Sequence, residues 1–316
     1  MRFDGQAAVI TGAGAGLGRA YALFLASRGA RVLVNNRAGM SSPEKVVEEI
    51  RAAGGEAVAD CHDAANEAAS IVKAAVDAFG QIDIVIANAG IALTGPVATT
   101  PLDQWRQTME VTFFGAVDLL KHAWSELAKT RGRVITTSSS SIFGQERTAP
   151  YSAPKAAILA LTRAAALEGR AAGIRVNAIL PVAFTKMNAG ITDPVFLAQL
   201  RDNFLPEQVA AAVGWLAHES VSVTGEAFSI GGGRIARVFT GVSRGWGKGH
   251  LAPEDFVGHL EDILDLEDFR APANSGEEVI FAGEQLGLSL ASRYTDMGRS
   301  ASSRTWPGEQ IAEEMK

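Results

Sequence analysis

A single cysteine, Cys61, is all the thiol that 316 residues contain, so an internal disulfide is excluded and a cysteine-built metal centre is not expected. That usage fits a reducing compartment, and Cys61 reads as a small buried or half-buried residue. Charge of one sign is scarce too. With 29 basic against 35 acidic side chains the net charge is −6, which offers no field for nucleic acid or an anionic membrane and points to a small-molecule substrate. No run approaches the ~18 apolar residues of a membrane span, and the opening Met1-Arg-Phe-Asp-Gly-Gln lacks an apolar signal core. The expectation is a soluble, cytoplasmic protein. Internal repeats and extended low-complexity tracts are missing as well. What is present is apolar content of 47%, enough for the core of one large α/β domain with an appendage.

Short apolar, β-branched runs recur at residues 7–10, 32–34, 57–59, 82–87, 134–137, 176–180 and 227–230. Helix-like stretches separate them, with start signals such as Ser42-Pro43-Glu44 and Thr100-Pro101-Leu102-Asp103. Near-continuous apolar strands joined by helices predict a parallel sheet of seven strands, buried on both faces, with right-handed crossovers: a doubly wound α/β (Rossmann) fold. The run Gly231-Gly-Gly233 closes this periodic part, giving a domain over residues 1–233 and an extension over 234–316. The extension begins basic, with Arg234, Arg237, Arg244 and Lys248, and continues acidic. It reads either as a solvated helical arm or subunit contact, or as a basic patch that holds a phosphorylated substrate.

Directly after the first strand stands Thr11-Gly12-Ala13-Gly14-Ala15-Gly16-Leu17-Gly18, with helix following. Glycines there let the backbone turn sharply and approach a pyrophosphate, while the helix start offers free amides and a positive dipole end. Further on, Tyr151-Ser-Ala-Pro-Lys155 sets a phenol and an ammonium four residues apart, hence on one helix face. A free tyrosine titrates near ~10, too high for a base at neutral pH; an adjacent ammonium stabilises the phenolate and brings that value down. Pro154 is expected in the helix's first turn, where its missing amide has no partner to lose.

On these motifs the chain resembles the short-chain dehydrogenase/reductase family, whose glycine pattern is TGxxxGxG. The resemblance implies an NAD(P)-dependent oxidoreductase that interconverts a secondary alcohol and a ketone. It implies that Tyr151 exchanges the substrate's hydroxyl proton, that Lys155 assists it and also meets the nicotinamide ribose, and that Ser138, thirteen residues before Tyr151, is the catalytic serine. Asn88-Ala89-Gly90 is similar to the family's NAG motif behind the adenine side of the cofactor. Asp63, preferred over Asp60, matches the aspartate at the adenine amino group. Pro181, Val182 and Thr185 match the segment beside the nicotinamide carboxamide. One position departs: the family's relay asparagine, in the pattern Asn-x-x-Gly, is here Thr112, ahead of Phe113-Phe114-Gly115.

On the runs SIVKAAVDAFGQID at 70–83, ALEGRAAGIRVNAILPVAFTKM at 166–187 and WLAHESVSVTGEAFSIGGG at 215–233, the chain between residues 63 and 234 is similar to the (3R)-hydroxyacyl-CoA dehydrogenase unit of type-two peroxisomal multifunctional enzymes. That branch implies a 3-hydroxyacyl-CoA dehydrogenase or 3-oxoacyl reductase acting on an acyl-CoA, with the extension completing a homodimer or homotetramer and the substrate site. The segment between Thr185 and Pro206, the family's lid, is short. A steroid or other ketone/alcohol oxidoreductase is the second enzyme reading. A cofactor-binding protein with little turnover is a third, motivated by Thr112. For the cofactor, the second strand ends Asn35-Asn36-Arg37. Asn36 stands where an NAD-using relative carries a carboxylate that repels a 2′-phosphate, and Arg37 offers a fork to that phosphate, so NADP is expected. The alternative is NAD, with Asn36 on the ribose and Arg37 in solvent.

Overall fold

The structure is a computed structural model, and it describes residues 1–185, 193–288 and 290. The chain divides into two compact units, residues 1–238 and 239–316. In the first, strands and helices alternate: β1 (Ala7–Ile10), α1 (Gly16–Ser27), β2 (Arg31–Asn35), α2 (Pro43–Ala52), β3 (Glu56–Asp60), α3 (Ala68–Phe79) and β4 (Ile84–Ala87). Then come α4 (Leu102–Met109), a π-helical turn over Glu110–Phe114, α5 (Gly115–Thr130), β5 (Arg133–Thr137), a 3₁₀ turn over Ser140–Phe143, and α6 (Ala149–Gly169). The unit closes with β6 (Arg175–Pro181), α7 (Pro194–Asn203), α8 (Pro206–Ala217), β7 (Ala227–Gly231) and β8 (Arg234–Val238).

The sheet order is β3-β2-β1-β4-β5-β6-β7-β8, with all pairs parallel except β7–β8. Seven expected strands become eight. Gly232 and Gly233, at φ +58° and +74°, form a two-residue hairpin between the paired Gly231 and Arg234, so the glycine run turns the chain back into the sheet. Residue alternation splits the core. Ile10, Val32, Val34, Ile84, Ile86 and Ile135 face one layer with α1, α2 and α8; Ala7, Val9, Leu33, Val85, Val134 and Val176 face the other with α3, α5 and α6. Burial of both faces is what a parallel sheet requires.

Local signals were followed unevenly. Ser42 caps α2 by accepting from the Lys45 amide at 3.4 Å. Thr100 does not cap α4: its hydroxyl donates to the Pro96 carbonyl, and Pro101 stands at the cap instead. Helix α6 starts at Ala149 rather than Tyr151, so Pro154 lies past the first turn and denies Pro150 a backbone donor. Cys61 is exposed, its thiol 3.3 Å from a Glu44 carboxylate oxygen, because it follows the last residue of edge strand β3.

The second unit holds a two-stranded antiparallel pair, β9 (Val242–Ser243) with β10 (Phe269–Arg270), and helices α9 (Pro253–Gly258), α10 (Leu260–Leu264) and α11 (Ser275–Gln285). Its early cations are paired locally: Lys248 with Asp255 at 2.6 Å and Arg244 with Asp268 at 3.7 Å. Arg237, in the first unit, is paired with Glu226. Among the described residues no helix is long and apolar enough to cross a membrane.

Candidate active site

In an open parallel sheet the strands' carboxyl ends diverge where the order reverses, here between β1 and β4, and a crevice opens there. A cleft of about 960 Å³ occupies that position, lined by the ends of β1, β4, β5 and β6 and by the loops that follow. Gly12, Gly16, Leu17, Gly18, Asn36, Asn88, Ala89, Gly90, Ser138, Tyr151, Lys155, Pro181, Val182 and Thr185 all line it.

The floor is the glycine loop. Gly12 and Gly16 adopt φ +64° and +55°, and a β-carbon on Gly14 would strike the Ser41 carbonyl and lie 2.7 Å from the Asn36 amide nitrogen. The Ala15 cap of α1 supplies no side-chain hydrogen bond and the first turn holds no acid, so the helix's leading amides are free. Bare amides at a helix start behind a loop without β-carbons suit a pyrophosphate, so the residues present fit a dinucleotide.

Asn88 acts on that loop from behind. Its side-chain amide donates to the Thr11 and Gly12 carbonyls at 3.0 and 3.2 Å, while the Thr11 hydroxyl accepts from the Asn88 and Ala89 amides at 3.1 Å each. Thr11 is a residue the sequence did not single out as a site residue. Its signal is its place between the first strand and the first glycine.

The wall is the tyrosine–lysine helix. Lys155 is 3% exposed, its Nζ donates to the Thr137 carbonyl at 2.7 Å, and it lies 5.7 Å from the centre of the Tyr151 ring. Burial pulls its pKa down to about 8, because the charged ammonium loses hydration. Burial acts in the opposite sense on Tyr151 and raises its phenol; the Ser139 hydroxyl, donating to the phenolate, opposes that rise. The lowering expected from Lys155 is therefore not the controlling effect in the protein alone.

Two serines, Ser138 and Ser139, follow one another where β5 ends. Ser138 is 1% exposed, its amide continues the β5 pairing to the Ile179 carbonyl, and its hydroxyl donates to the Lys155 carbonyl at 2.7 Å. That hydroxyl is consumed in fastening α6 to the sheet. Ser139, one residue on in an extended conformation, turns to the opposite side and faces Tyr151. Counting thirteen residues back from Tyr151 reaches Ser138, which lines the cleft; the next residue, Ser139, lies on the opposite side of the strand end, toward the phenol.

Thr112 is buried within the π-helical turn and its hydroxyl accepts from the Ile91 amide at 3.4 Å. A β-carbon on Gly90 would lie 3.3 Å from that hydroxyl and 3.5 Å from Lys155 Nζ, so both side chains reach the same glycine. Arg37 and Asp63 come together instead of lining the cleft, at 3.5 Å, and the Asp63 carboxylate also accepts from the Ala65 amide. Asp60 is the buried carboxylate: it accepts from Asn35 at 2.6 Å and meets His62 Nδ1 at 2.8 Å, a bond that raises the imidazole's pKa. Asp60 thus fastens β2 to β3. Of the short lid, residues 186–192 lie outside the described residues. Among the described residues no group of three or more His, Cys, Asp or Glu side chains could hold a metal.

Comparison with known proteins agrees with this geometry. Residues 6–195 match the family model described as short chain dehydrogenase. Mouse peroxisomal multifunctional enzyme type 2 is 40% identical over 248 residues, 75% of this chain and 33% of that protein, so the chain spans about a third of that relative's length. The full-length peroxisomal multifunctional enzyme type 2 of Drosophila melanogaster superposes with a TM-score of 0.77 at 29% identity, over 91% of this chain and 50% of that one. A 7α-hydroxysteroid dehydrogenase, solved with NADH and 7-oxo glycochenodeoxycholic acid, gives 0.68 at 29% identity over 73% of this chain and 95% of that one. With the family model spanning well over half the sequence and the cleft built as described, the chain belongs to the short-chain dehydrogenase family and is an NAD(P)-dependent oxidoreductase.

Proposed function

We propose that this protein interconverts a 3-hydroxyacyl-CoA and the corresponding 3-oxoacyl-CoA, with Tyr151, Lys155 and Ser139 as the catalytic group. The observation that carries the chemistry is the convergence of one phenol, one serine hydroxyl and one buried ammonium at the wall of a cleft floored by the glycine loop. The substrate class rests on the resemblance over residues 63–234. When bound, the dinucleotide supplies or takes the hydride at the substrate carbon.

The chain's own residues handle the oxygen. In reduction, Tyr151 gives its phenolic proton to the forming alkoxide and is left as phenolate; in oxidation it takes the hydroxyl proton back. Ser139 donates a hydrogen bond toward the same oxygen as charge builds on it. Lys155, while protonated, stabilises the phenolate, its Nζ lying 5.7 Å from the centre of the Tyr151 ring and held by the Thr137 carbonyl. Pro181, Val182 and Thr185 would border the nicotinamide, Gly12, Gly14, Gly16, Leu17 and Gly18 would hold the diphosphate, and Asn88, Ala89 and Gly90 would back the adenine side.

For the cofactor we propose a preference for NADP. Asn36 stands at the cleft beside Gly14, with its amide bonded to the Ser41 carbonyl at 2.5 Å, and brings no charge to repel a phosphate. Arg37 is about half exposed, and its 3.5 Å contact with Asp63 is a surface pair of small worth, readily exchanged for a bidentate phosphate. The extension, whose described part leaves Val257, Leu264 and Leu266 more than half exposed, supports a homodimer or homotetramer contact. Steady-state assays with 3-oxoacyl-CoA and free-ketone panels, each with NADPH and NADH, test the reading. It predicts CoA-ester turnover with NADPH favoured, and loss of that preference in Arg37→Ala. Turnover confined to steroid or other free ketones, or NAD favoured tenfold, overturns the substrate or the cofactor part respectively.

A further inference from the structure

Arg147, in the lining of the catalytic cleft, holds a backbone conformation that its side chain disfavours. Its φ is +65°, and among the described residues Arg131 is the other non-glycine residue with positive φ. The two differ in setting. Arg131 ends α5, where a left-handed residue terminates the helix and its amide caps it. Arg147 occupies the third position of a turn in which the Thr148 amide reaches the Gln145 carbonyl at 3.3 Å, a place glycine or asparagine normally takes. The turn is over-determined: the Thr148 hydroxyl donates to the Gln145 carbonyl at 2.7 Å, and the Gly95 amide, from the loop after β4, donates to the Arg147 carbonyl at 2.6 Å. A strained residue kept at a functional site invites the question of what its side chain does there.

The side chain is exposed, lines the cleft, and has no salt bridge or hydrogen bond from its guanidinium among the described residues. The other charged side chains of the lining are Lys155, buried at the phenol, and Glu146, next to Arg147 in the turn. Arg147 is therefore the exposed cation of the cleft lining, four residues before Tyr151.

We propose that Arg147 is a specificity residue that binds the anionic part of the substrate, the phosphate-bearing arm of an acyl-CoA, as its acyl end approaches Tyr151. This rests on the acyl-CoA reading above. A guanidinium engages a phosphate through paired hydrogen bonds, and Glu146 beside it weakens that attraction.

The test compares two substrates with one acyl group, the 3-oxoacyl-CoA and its uncharged N-acetylcysteamine thioester, in wild type, Arg147→Gln, Arg147→Gly and Glu146→Gln. Wild type is expected to favour the CoA ester at least tenfold in kcat/KM, through KM, with the advantage shrinking as salt rises. Both Arg147 variants should lose most of that ratio, although Arg147→Gly relieves the backbone and melts no lower than wild type; Glu146→Gln should enlarge the ratio. An unchanged ratio in a folded Arg147→Gln or Arg147→Gly enzyme overturns the assignment. If wild type turns over neither thioester and reduces free ketones instead, the acyl-CoA reading fails. The same ratio, taken on a ketone pair differing by one carboxylate, then decides Arg147: insensitivity to Arg147→Gln refutes an anion-binding role, and a tenfold loss sustains it.

Discussion

At the residue scale the decisive distinction lies between two adjacent serines. Ser138 and Ser139 are chemically identical, and strand alternation sends one hydroxyl to the Lys155 carbonyl and the other to the Tyr151 phenol. Ser139→Ala should therefore lower kcat a hundredfold or more, with a stability cost of about 0.5–2 kcal/mol from its lost cap on the Ser141 amide. Ser138→Ala removes a buried hydrogen bond, leaves the Lys155 carbonyl without that donor, and should cost about 1–3 kcal/mol in urea melts. The reverse pattern would restore Ser138 to catalysis. Tyr151 and Lys155 were legible at this scale because four-residue spacing on a helix is a local property. The choice between serines was not, since it depends on where β5 ends.

Lys155 also makes a stability statement. Its folded pKa, about 8, lies below the ordinary lysine value of 10.5, so the unfolded chain binds more protons between those limits and stability rises with pH across them. Below about 8 the full cost of the buried ammonium is present; above 10.5 it has gone. Lys155→Met should thus gain a few kcal/mol over wild type at pH 7, and that advantage should shrink at pH 10. Equal differences at both pH values, measured by urea unfolding, would contradict the burial argument.

Among the elements, the glycine loop was the most legible because steric demands act directly on residue type. Gly14 has no room for a β-carbon, and the obstruction is the Ser41 backbone carbonyl together with Asn36. Gly14→Ala is expected to raise the dissociation constant for NADPH tenfold or more, read by quenching of protein fluorescence. Unaltered affinity would mean that Asn36 and the Ser41 loop are not part of the cradle. The eighth strand was not legible in the same way: Arg234–Val238 is partly exposed and carries two arginines, and it is a strand because the Gly232–Gly233 turn folds it against β7. The pairing of Arg37 with Asp63 is not legible for a related reason, since the ends of neighbouring parallel strands are distant in sequence. Thr112 was readable only as a missing asparagine. The structure adds that it sits in a π-helical turn and bonds the Ile91 amide, a local geometry that composition does not announce.

For the whole molecule, fold class follows from the alternation of apolar strands and helices. The extension follows from composition only in part, because its two-stranded pair and short helices lack strong periodicity. If the extension supplies the subunit contact, a chain ending at Val238 should sediment as a smaller assembly than the full protein and expose apolar surface to a dye. Sedimentation as the native assembly would contradict that role.

In the proposed function Tyr151 carries the proton while the cradle holds the cofactor independently of it. Tyr151→Phe removes one oxygen atom and leaves the ring packed beside Lys155. Turnover of 3-oxoacyl-CoA with NADPH should fall by about 10²–10⁴-fold, the usual contribution of a positioned general acid, with NADPH affinity within a few-fold of wild type. Activity above about a tenth of wild type in that variant, with cofactor binding intact, would show that the proton travels another way.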